Sequence, residues 1–540
     1  MKASKALVLL LICLPTTRPQ CQSRSGPPAT LILSGGKIFT ADSLRPWAEA
    51  LAIRGERIVA VGTTAEVRRW ANKSTREIPL EGRVVIPGIN DAHDHLAEAA
   101  LGPEFRVSAS PTPDPSSSEL LDSLRAFAGR SPNGAWIRAA VGARVLADST
   151  IDRAALDRAA PGHPVVIHGW WGHGMVLNSD ALRALGVAED VPDPLGGWYG
   201  RDANGRLTGR VDEYAKWGLE QRLGALQPEN ALVASLRAFA DSSLRLGVTS
   251  VQNMAGFLPP ALTVRLFREA QLPLRVRLVR WSTPTATSMN VEEWAGLEGR
   301  LTPRLLVDGR KWVFDGTPIE QLALQSTPYP GRPGWYGRLE FPVDSMRAIL
   351  AQALAPNAPQ LHLHVVGDST TKLVLDMMQS LAPDSVWRTR RVRFEHGTSV
   401  TGPLVARVAR LGVVIAQPRP GAFYRSWRAA GIPVAYGSDM LRNPFLYMMY
   451  AITGTSLPQE AISREEAVRM LTSASADAER TEREKGTLTA GMLADVSVLS
   501  QDIFSVPPQA LPGTRSVLTL VGGDIVYDGM ARRAAAASSP

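Results

Sequence analysis

His93 and His95 stand one residue apart, just after the apolar run Val84-Val85-Ile86-Pro87-Gly88-Ile89. On a strand, positions i and i+2 point to the same side, so both imidazoles can reach one cation. Imidazole is a suitable ligand for zinc and its neighbours. Taken alone, the pair reads as well as two polar residues at a strand end. Three other segments change that reading. His364 follows Leu361-His362-Leu363, His396 follows Val392-Arg393-Phe394-Glu395, and Asp439 follows Val434-Ala435-Tyr436-Gly437-Ser438. In parallel α/β folds chemistry gathers at the carboxyl ends of strands, where each of these runs places its polar residue. Neutral imidazoles hold a divalent ion and leave it Lewis-acidic, and the ion lowers the pKa of its water toward ~7. A carboxylate beside that water can accept its proton and return it to a leaving group, a role that Asp439 suits by type and position. In isolation Asp439 would read as a capping or turn residue.

Lys311 opens Lys311-Trp312-Val313-Phe314-Asp315-Gly316, a strand with a buried pattern, and lysine is among the residues least expected inside. A neutral lysine amine can take up carbon dioxide as a carbamate, which would be an anionic metal ligand. The plainer alternatives are a lysine that reaches out to water from a strand start, or an ion pair with Asp308 or Asp315.

The elements that must position these groups alternate. Short apolar strands are expected at Val165-Val166-Ile167, Val248 to Val251, Leu274 to Leu278, Trp312 to Phe314, Leu361 to Val366, Val392 to Phe394, Val413 to Ile415 and Val434 to Tyr436. Between them, Asp344 to Leu354, Thr370 to Leu381 and Pro403 to Leu411 have helical periodicity, and Ser463-Arg464-Glu465-Glu466 is a capping box opening another helix. Strand-helix alternation over so long a stretch predicts a parallel α/β architecture; a closed barrel and an open doubly wound sheet both satisfy it. The two ends differ in style. Leu31-Ile32-Leu33, Lys37-Ile38-Phe39, Leu51-Ala52-Ile53 and Ile58 to Val61, with a turn at Arg54 to Arg57, are matched at the far end by Ala494 to Leu499, Val517 to Val521 and Ile525 to Tyr527. Both ends are therefore expected to build one small β domain. The proline- and serine-rich residues 107 to 118 read as a surface loop, and no internal repeat is seen.

Composition sets the outer limits. The 540 residues are 45% hydrophobic and 20% charged, ordinary globular values that exclude a disordered or fibrous chain. The formal charge is +8; Lys2, Lys5 and Arg18 lie in an expected leader and carry three of those charges, leaving +5. The remaining arginines are dispersed, with no basic-aromatic stripe, which argues against nucleic acid as a partner. Lys2 and Lys5 precede the apolar run Ala6 to Leu14, which as a helix spans about 14 Å and is too short to cross a bilayer. Residues 1 to 21 read as a signal peptide, so export to a periplasm or the exterior is expected, with no spanning segment. Cys21 stands where a lipoprotein would carry its lipid, although Arg18-Pro19-Gln20 is unlike that signal. Cys13 and Cys21 are the only cysteines, so neither a disulfide framework nor a thiolate metal cluster is available to the mature chain.

On these motifs the chain resembles the amidohydrolase superfamily, and within it the amidohydrolase family 3 group called YtcJ-like. Pro87-Gly88-Ile89-Asn90-Asp91-Ala92-His93-Asp94-His95 is similar to the family's Pro-Gly…Asp-x-His-x-His segment. Lys311 to Gly316, His364-Val365-Val366-Gly367-Asp368, Phe394-Glu395-His396, Gly437-Ser438-Asp439 and Gly491 to Asp495 resemble further family segments in the family's order. Gly172-His173 with Asn178-Ser179, and Gly209 to Glu213, resemble segments of the narrower group. The likeness covers roughly residues 30 to 530. It implies a distorted (β/α)8 TIM barrel over 88–483, with an inserted segment around 100–230, and a composite β-sandwich domain from 22–87 and 484–535. It also implies one or two divalent metals, zinc first among them. His93, His95, His364 and His396 would be ligands, Lys311 a carbamate-bearing bridging ligand, and Asp439 a ligand and the acid/base group. His173 and Glu213 would contact substrate.

The implied activity is hydrolysis of an amide, cyclic amide or urea-like C–N bond in a small molecule by a metal-activated hydroxide. The alternative is a barrel that binds metal or ligand without turnover. A homodimer is allowed by the resemblance but not required. The departures are Asp94 between the two histidines, Asn90, and Asn253 where aspartate is usual. His362 matches no motif position and reads as a residue of the barrel interior; His163 and His168 read as structural. Trp170, Trp171, Trp198, Tyr199 and Trp217 are candidates for an aromatic pocket wall.

Overall fold

A computed structural model describes residues 26–96, 114–416, 420–439 and 442–530. The segment expected as a leader, with Cys13 and Cys21, lies outside the described residues, as does most of the 107 to 118 stretch. Eight parallel strands form one sheet: β1 (Ile89–Asp94), β2 (Val248–Ala255), β3 (Arg275–Trp281), β4 (Leu305–Val313), β5 (Leu361–Val365), β6 (Arg393–His396), β7 (Val414–Ala416) and β8 (Val434–Ala435). They pair in chain order from β1 to β8. The sheet then closes on itself, because the Ala92 N–H donates to the Tyr436 carbonyl at 2.8 Å and the Asp439 N–H donates to the His93 carbonyl at 2.9 Å. Those two bonds decide for the barrel over the open sheet, a choice that hydrophobic periodicity leaves free because both folds use the same strand-helix units.

The barrel is distorted in an identifiable place. After β3 the chain has only a 3₁₀ turn, Val291–Trp294, and an antiparallel strand, Gly299–Thr302, paired to β4. Elsewhere helices follow the strands, including Pro260–Ala270, Val343–Gln352, Asp368–Leu381 and Pro403–Leu411. The capping box at Ser463 is formed, with its hydroxyl accepting from the Glu466 N–H and the Glu466 carboxylate accepting from the Ser463 N–H. The outward faces of the strands (Val251, Leu278, Val307, Leu363, Phe394, Ile415) pack on helix residues such as Leu266, Met346, Leu375 and Val408 in one buried cluster.

The lower interior of the barrel is filled with charge instead of aliphatic layers. Arg277 bonds Gln360 at 2.9 Å and Asp308 at 2.8 Å. Arg393 bonds Gln252 at 2.5 Å, the Ala92 carbonyl at 2.7 Å and its strand neighbour Glu395. Gly309, at φ 84°, leaves room for His362: a Cβ there would lie 2.9 Å from the His362 Nε2. Buried charges persist only when paired, and here Arg277 is paired with Asp308 and Arg393 with Glu395.

Two further sheets carry strands from both ends of the chain. One is ordered Arg57–Gly62, Ala50–Arg54, Leu31–Ser34, Arg76–Pro79; the other joins Val496–Leu499 to Val84–Pro87 in antiparallel pairing and extends through Ser516–Val521 to Asp524–Asp528. Their facing sides share one apolar cluster that includes Leu33, Ile53, Val85, Val498 and Leu520. Between β1 and β2 a separate five-stranded sheet forms, containing Val165–Gly169, Met175–Leu177 and Leu207–Glu213. The apolar run Val165-Val166-Ile167 thus belongs to this inserted sheet and not to the barrel; a buried strand in either place has the same pattern. Among the described residues, no helix is long and apolar enough to cross a membrane.

Candidate functional site

At the carboxyl ends of β1, β4, β5, β6 and β8 a small cavity of about 40 Å³ is lined by His93, His95, Lys311, His364, His396 and Asp439, together with His173 and a set of aromatic side chains. The six residues expected as ligands therefore come together. Strand alternation delivers some of them: His362 and His364 are i and i+2 on β5, as are His93 and His95 from β1. Alternation alone would send His396 away from Glu395's side of β6. Its backbone sits at φ 74°, and Asp439 at φ 37°, left-handed values that cost non-glycine residues on the order of 1–3 kcal/mol. Both residues are thereby turned to the mouth.

The His93 and His95 Nε2 atoms lie 3.3 Å apart, and the Asp439 Oδ1 is 3.6 Å from the first and 3.3 Å from the second. These three donor atoms converge closely enough to share one ion. His364 packs edge-on against His396 with ring centroids 4.6 Å apart, and His396 lies 5.5 Å from His93. The donor set therefore fits a divalent ion by type and by convergence: imidazole nitrogens and one carboxylate at a closed strand end. Partial removal from solvent would raise Asp439, but the His95 hydrogen bond and the neighbouring His93 and His396 outweigh it and hold the carboxyl well below its usual range.

The motif carboxylates around the site have structural work. The Asp91 Oδ1 accepts from the His93 N–H at 3.1 Å and the Ser438 N–H at 2.9 Å, tying β1 to the end of β8. Burial, then Asp94, pushes its carboxyl well above the ordinary value. Asp94 is buried and accepts from the His95 N–H at 2.8 Å, so the residue between the two histidines braces the backbone. Asn253 caps the Leu96 N–H at 2.8 Å. Asp315 accepts from the Val366 and Gly367 N–H groups at 3.0 and 2.7 Å, which clamps the turn after His364. A side chain at Gly367 would run into the Leu324 carbonyl at 2.0 Å.

Lys311 is 1% exposed, with its ammonium 5.8 Å from the centre of the Trp281 ring. The partners expected for a plain ion pair are engaged elsewhere: Asp308 with Arg277, Asp315 with backbone N–H groups. Burial, only partly offset by Glu395 and Asp439, lowers the amine to about 8. At neutral pH roughly a tenth of such an amine is neutral, hundreds of times the fraction of an ordinary lysine.

Sequence reading missed the carboxylate that orients the site. Glu395 accepts from the His93 Nδ1 at 2.6 Å, from the His362 Nδ1 at 3.1 Å and from Arg393. A carboxylate can only accept, so both imidazoles carry their proton on Nδ1, and the His93 Nε2 lone pair faces the cavity. The signal was present as Arg393-x-Glu395, an i, i+2 pair on a strand with His362 similarly placed on the next. His362 thus lies in the interior network. His163 bonds the Ala135 carbonyl at 3.0 Å, away from the cavity.

His173 and Glu213 come from the inserted sheet. The His173 Nδ1 donates to both Glu213 oxygens at 2.9 Å, and the ring packs 5.3 Å from His364. Burial would lower His173, but Glu213 outweighs it and leaves the imidazole above its usual value. Glu213 is another left-handed residue, at φ 54°. Glu320 lies beside this pair, a neighbour that its sequence position does not disclose. Of the five aromatic candidates, Trp171 and Trp217 line the cavity. Trp198 stacks beneath the Arg338 guanidinium, Tyr199 is buried in the insert, and Trp170 is 47% exposed.

Comparison with known proteins extends this picture. A family profile described as Amidohydrolase family (Amidohydro_3) matches residues 76–527. The N-substituted formamide deformylase of Arthrobacter pascens is 25% identical over 92% of this chain and 98% of its own. The protein YtcJ of Bacillus subtilis is 24% identical over 92% of this chain and 99% of its own. Among solved structures, an uncharacterized metal-dependent hydrolase from Pyrococcus furiosus superposes with a TM-score of 0.66 at 22% identity, covering 88% of this chain and all of that one.

Proposed function

The chain belongs to the amidohydrolase family, and from that premise we propose that it hydrolyses amide or other C–N bonds of small molecules with one or two divalent ions, zinc foremost, at the barrel mouth. The observation that carries the reading is the convergence of His93, His95 and Asp439 on one point, with His364, His396 and Lys311 around the same cavity. His93, His95, His364, His396 and Asp439 would hold the metal, joined by Lys311 as a carbamate. A bound ion would supply Lewis acidity and make water a stronger acid. Asp439 stays ionised at neutral pH and is placed to take a proton and hand it to the departing nitrogen. Glu395 keeps the His93 Nε2 aimed at the cavity. Trp171, Trp217, Phe257 and Trp281 exclude bulk water around it. His173, steadied by Glu213, would hydrogen-bond the substrate. The deformylase named above acts on N-substituted formamides, which makes N-substituted amides the first substrates to test.

Purified protein is expected to contain tightly held divalent metal, measured by elemental analysis, and to hydrolyse members of an N-substituted formamide and cyclic amide panel. A chelator should remove at least nine-tenths of the rate and added zinc should restore it. Metal-free protein with chelator-insensitive turnover would end the metal-dependent mechanism, and no turnover of any member of the panel would end the hydrolase reading. The carbamate has its own test. Lys311→Ala is expected to lose about one metal equivalent or bind it at least tenfold more weakly, and bicarbonate should raise metal content in the wild type alone. Unchanged metal content in the variant would remove Lys311 from the ligand set.

A further inference from the structure

The catalytic cavity holds about 40 Å³, room for a few water molecules or a small acyl group, since one water needs roughly 10–15 Å³ of such space. An N-substituted substrate must therefore place its larger part elsewhere. A second cavity of about 630 Å³ abuts the first across Trp171, which lines both. Glu320, on the wall of the second, lies against His173 on the wall of the first.

The larger cavity is cationic. Arg144, Arg210, Arg332 and Arg338 line it, against two carboxylates, Asp212 and Glu320. Both carboxylates are already committed: Asp212 pairs with Arg210 at 3.2 Å, and Glu320 accepts from the Thr317 hydroxyl at 2.5 Å and from its N–H. Among the described residues, no carboxylate forms an ion pair with Arg144, Arg332 or Arg338. Arg332 and Arg338 lie over the Trp335 and Trp198 rings, at 4.8 and 3.2 Å from their centres, which holds the planar guanidiniums in place without neutralising them. The Arg338 Nε is buried with no acceptor, as is the Trp171 indole N–H. Buried donors of this kind are rare in a folded protein unless a ligand or water completes them. Guanidinium forks match carboxylate and phosphate oxygens.

Building on the hydrolase reading, we propose that this cavity is an anion subsite: it takes the substituent of an N-acylated amine that bears a carboxylate or phosphate, while the small acyl group enters the catalytic cavity. The aromatic wall at Trp171 and Trp335 suits an apolar spacer between the two.

The test compares N-formylphenylalanine and its phosphonate analogue with N-formylphenethylamine, which lacks the anion. In the wild type, kcat/KM is expected to favour an anionic formamide by about tenfold to a hundredfold; whichever anion is preferred identifies the source chemistry. In the double variant Arg144→Gln/Arg332→Gln, two exposed positions, the ratio should fall to within about threefold of unity. Calorimetry on the metal-loaded protein adds a readout free of turnover: 3-phenylpropionate should bind at least tenfold more tightly than 3-phenylpropanamide, and the variant should lose the difference. Equal handling of charged and neutral compounds by the wild type, or a preference that survives in the variant, would overturn the proposal. If 3-phenylpropionate binds as expected but neither these formamides nor the cyclic amides are cleaved, the subsite stands and the hydrolase reading fails.

Discussion

Asp439→Asn is expected to reduce hydrolysis of any accepted amide by roughly a thousandfold or more, with the fold intact. General acid–base groups contribute about 10²–10⁴ in rate, and here the same carboxylate also touches both β1 histidines. Asparagine keeps the shape and the backbone N–H that bonds the His93 carbonyl, so the barrel seam should survive. The carboxyl of Asp439 is held well below its usual range by His95, His93 and His396 against the effect of burial. The acid limb of the wild-type rate should accordingly not report Asp439 near neutral pH. Steady-state kinetics with circular dichroism as the folding control decides it; activity within tenfold of wild type would show that Asp439 carries neither role.

The second large effect is predicted at Glu395. Glu395→Gln leaves the Arg393 guanidinium, fully buried, without its charge partner, and breaking such a pair costs about 3–5 kcal/mol. It also loosens the hold on the His93 Nδ1, and loss of such an outer carboxylate typically weakens metal binding by about tenfold to a hundredfold. Both readouts are expected together: a Tm lower by several degrees and a weaker metal affinity by competition titration. Removing both charges, Glu395→Leu with Arg393→Met, should be less damaging to stability than Glu395→Gln alone, because no unpaired charge remains. A double variant at least as unstable as the single would refute the charge-pair account.

The pH dependence has a definite sign. Burial would raise Glu395, but Arg393, His93 and His362 together take its carboxyl well below the ordinary value. A carboxyl that is more acidic in the folded than in the unfolded chain contributes stability above the unfolded value of about 4.3, and the contribution fades as pH falls toward the folded value. The wild type should therefore lose stability on the acid side more steeply than Glu395→Gln, with the two curves drawing together below about pH 4. Denaturant midpoints at pH 7, 5 and 3.5 measure this.

The sequence by itself determined the parts of this protein that follow from local pattern. Two-residue spacing put His93 beside His95 and His362 beside His364, because side chains on a strand alternate. The Pro403–Leu411 helix and the Ser463 capping box were legible from short-range hydrophobic spacing and hydroxyl–carboxylate chemistry. The resemblance across the motif order then implied the barrel and the ligand set. Tertiary structure decided what periodicity leaves degenerate. Barrel closure rests on hydrogen bonds between residues some 340 positions apart, Ala92 with Tyr436 and His93 with Asp439, and no local window contains both partners. The left-handed backbone at His396 overrode the alternation that would have turned it away from the cavity, and a left-handed value at Asp439 sets that residue beyond the end of β8. Glu395 read as an ordinary strand residue until folding set it between His93, His362 and Arg393. The arginines, dispersed and uninformative along the chain, gain meaning only in space: Arg144, Arg210, Arg332 and Arg338 come from distant segments to one cavity beside the catalytic one. Charge acts through distance in three dimensions, and sequence separation carries almost none of it.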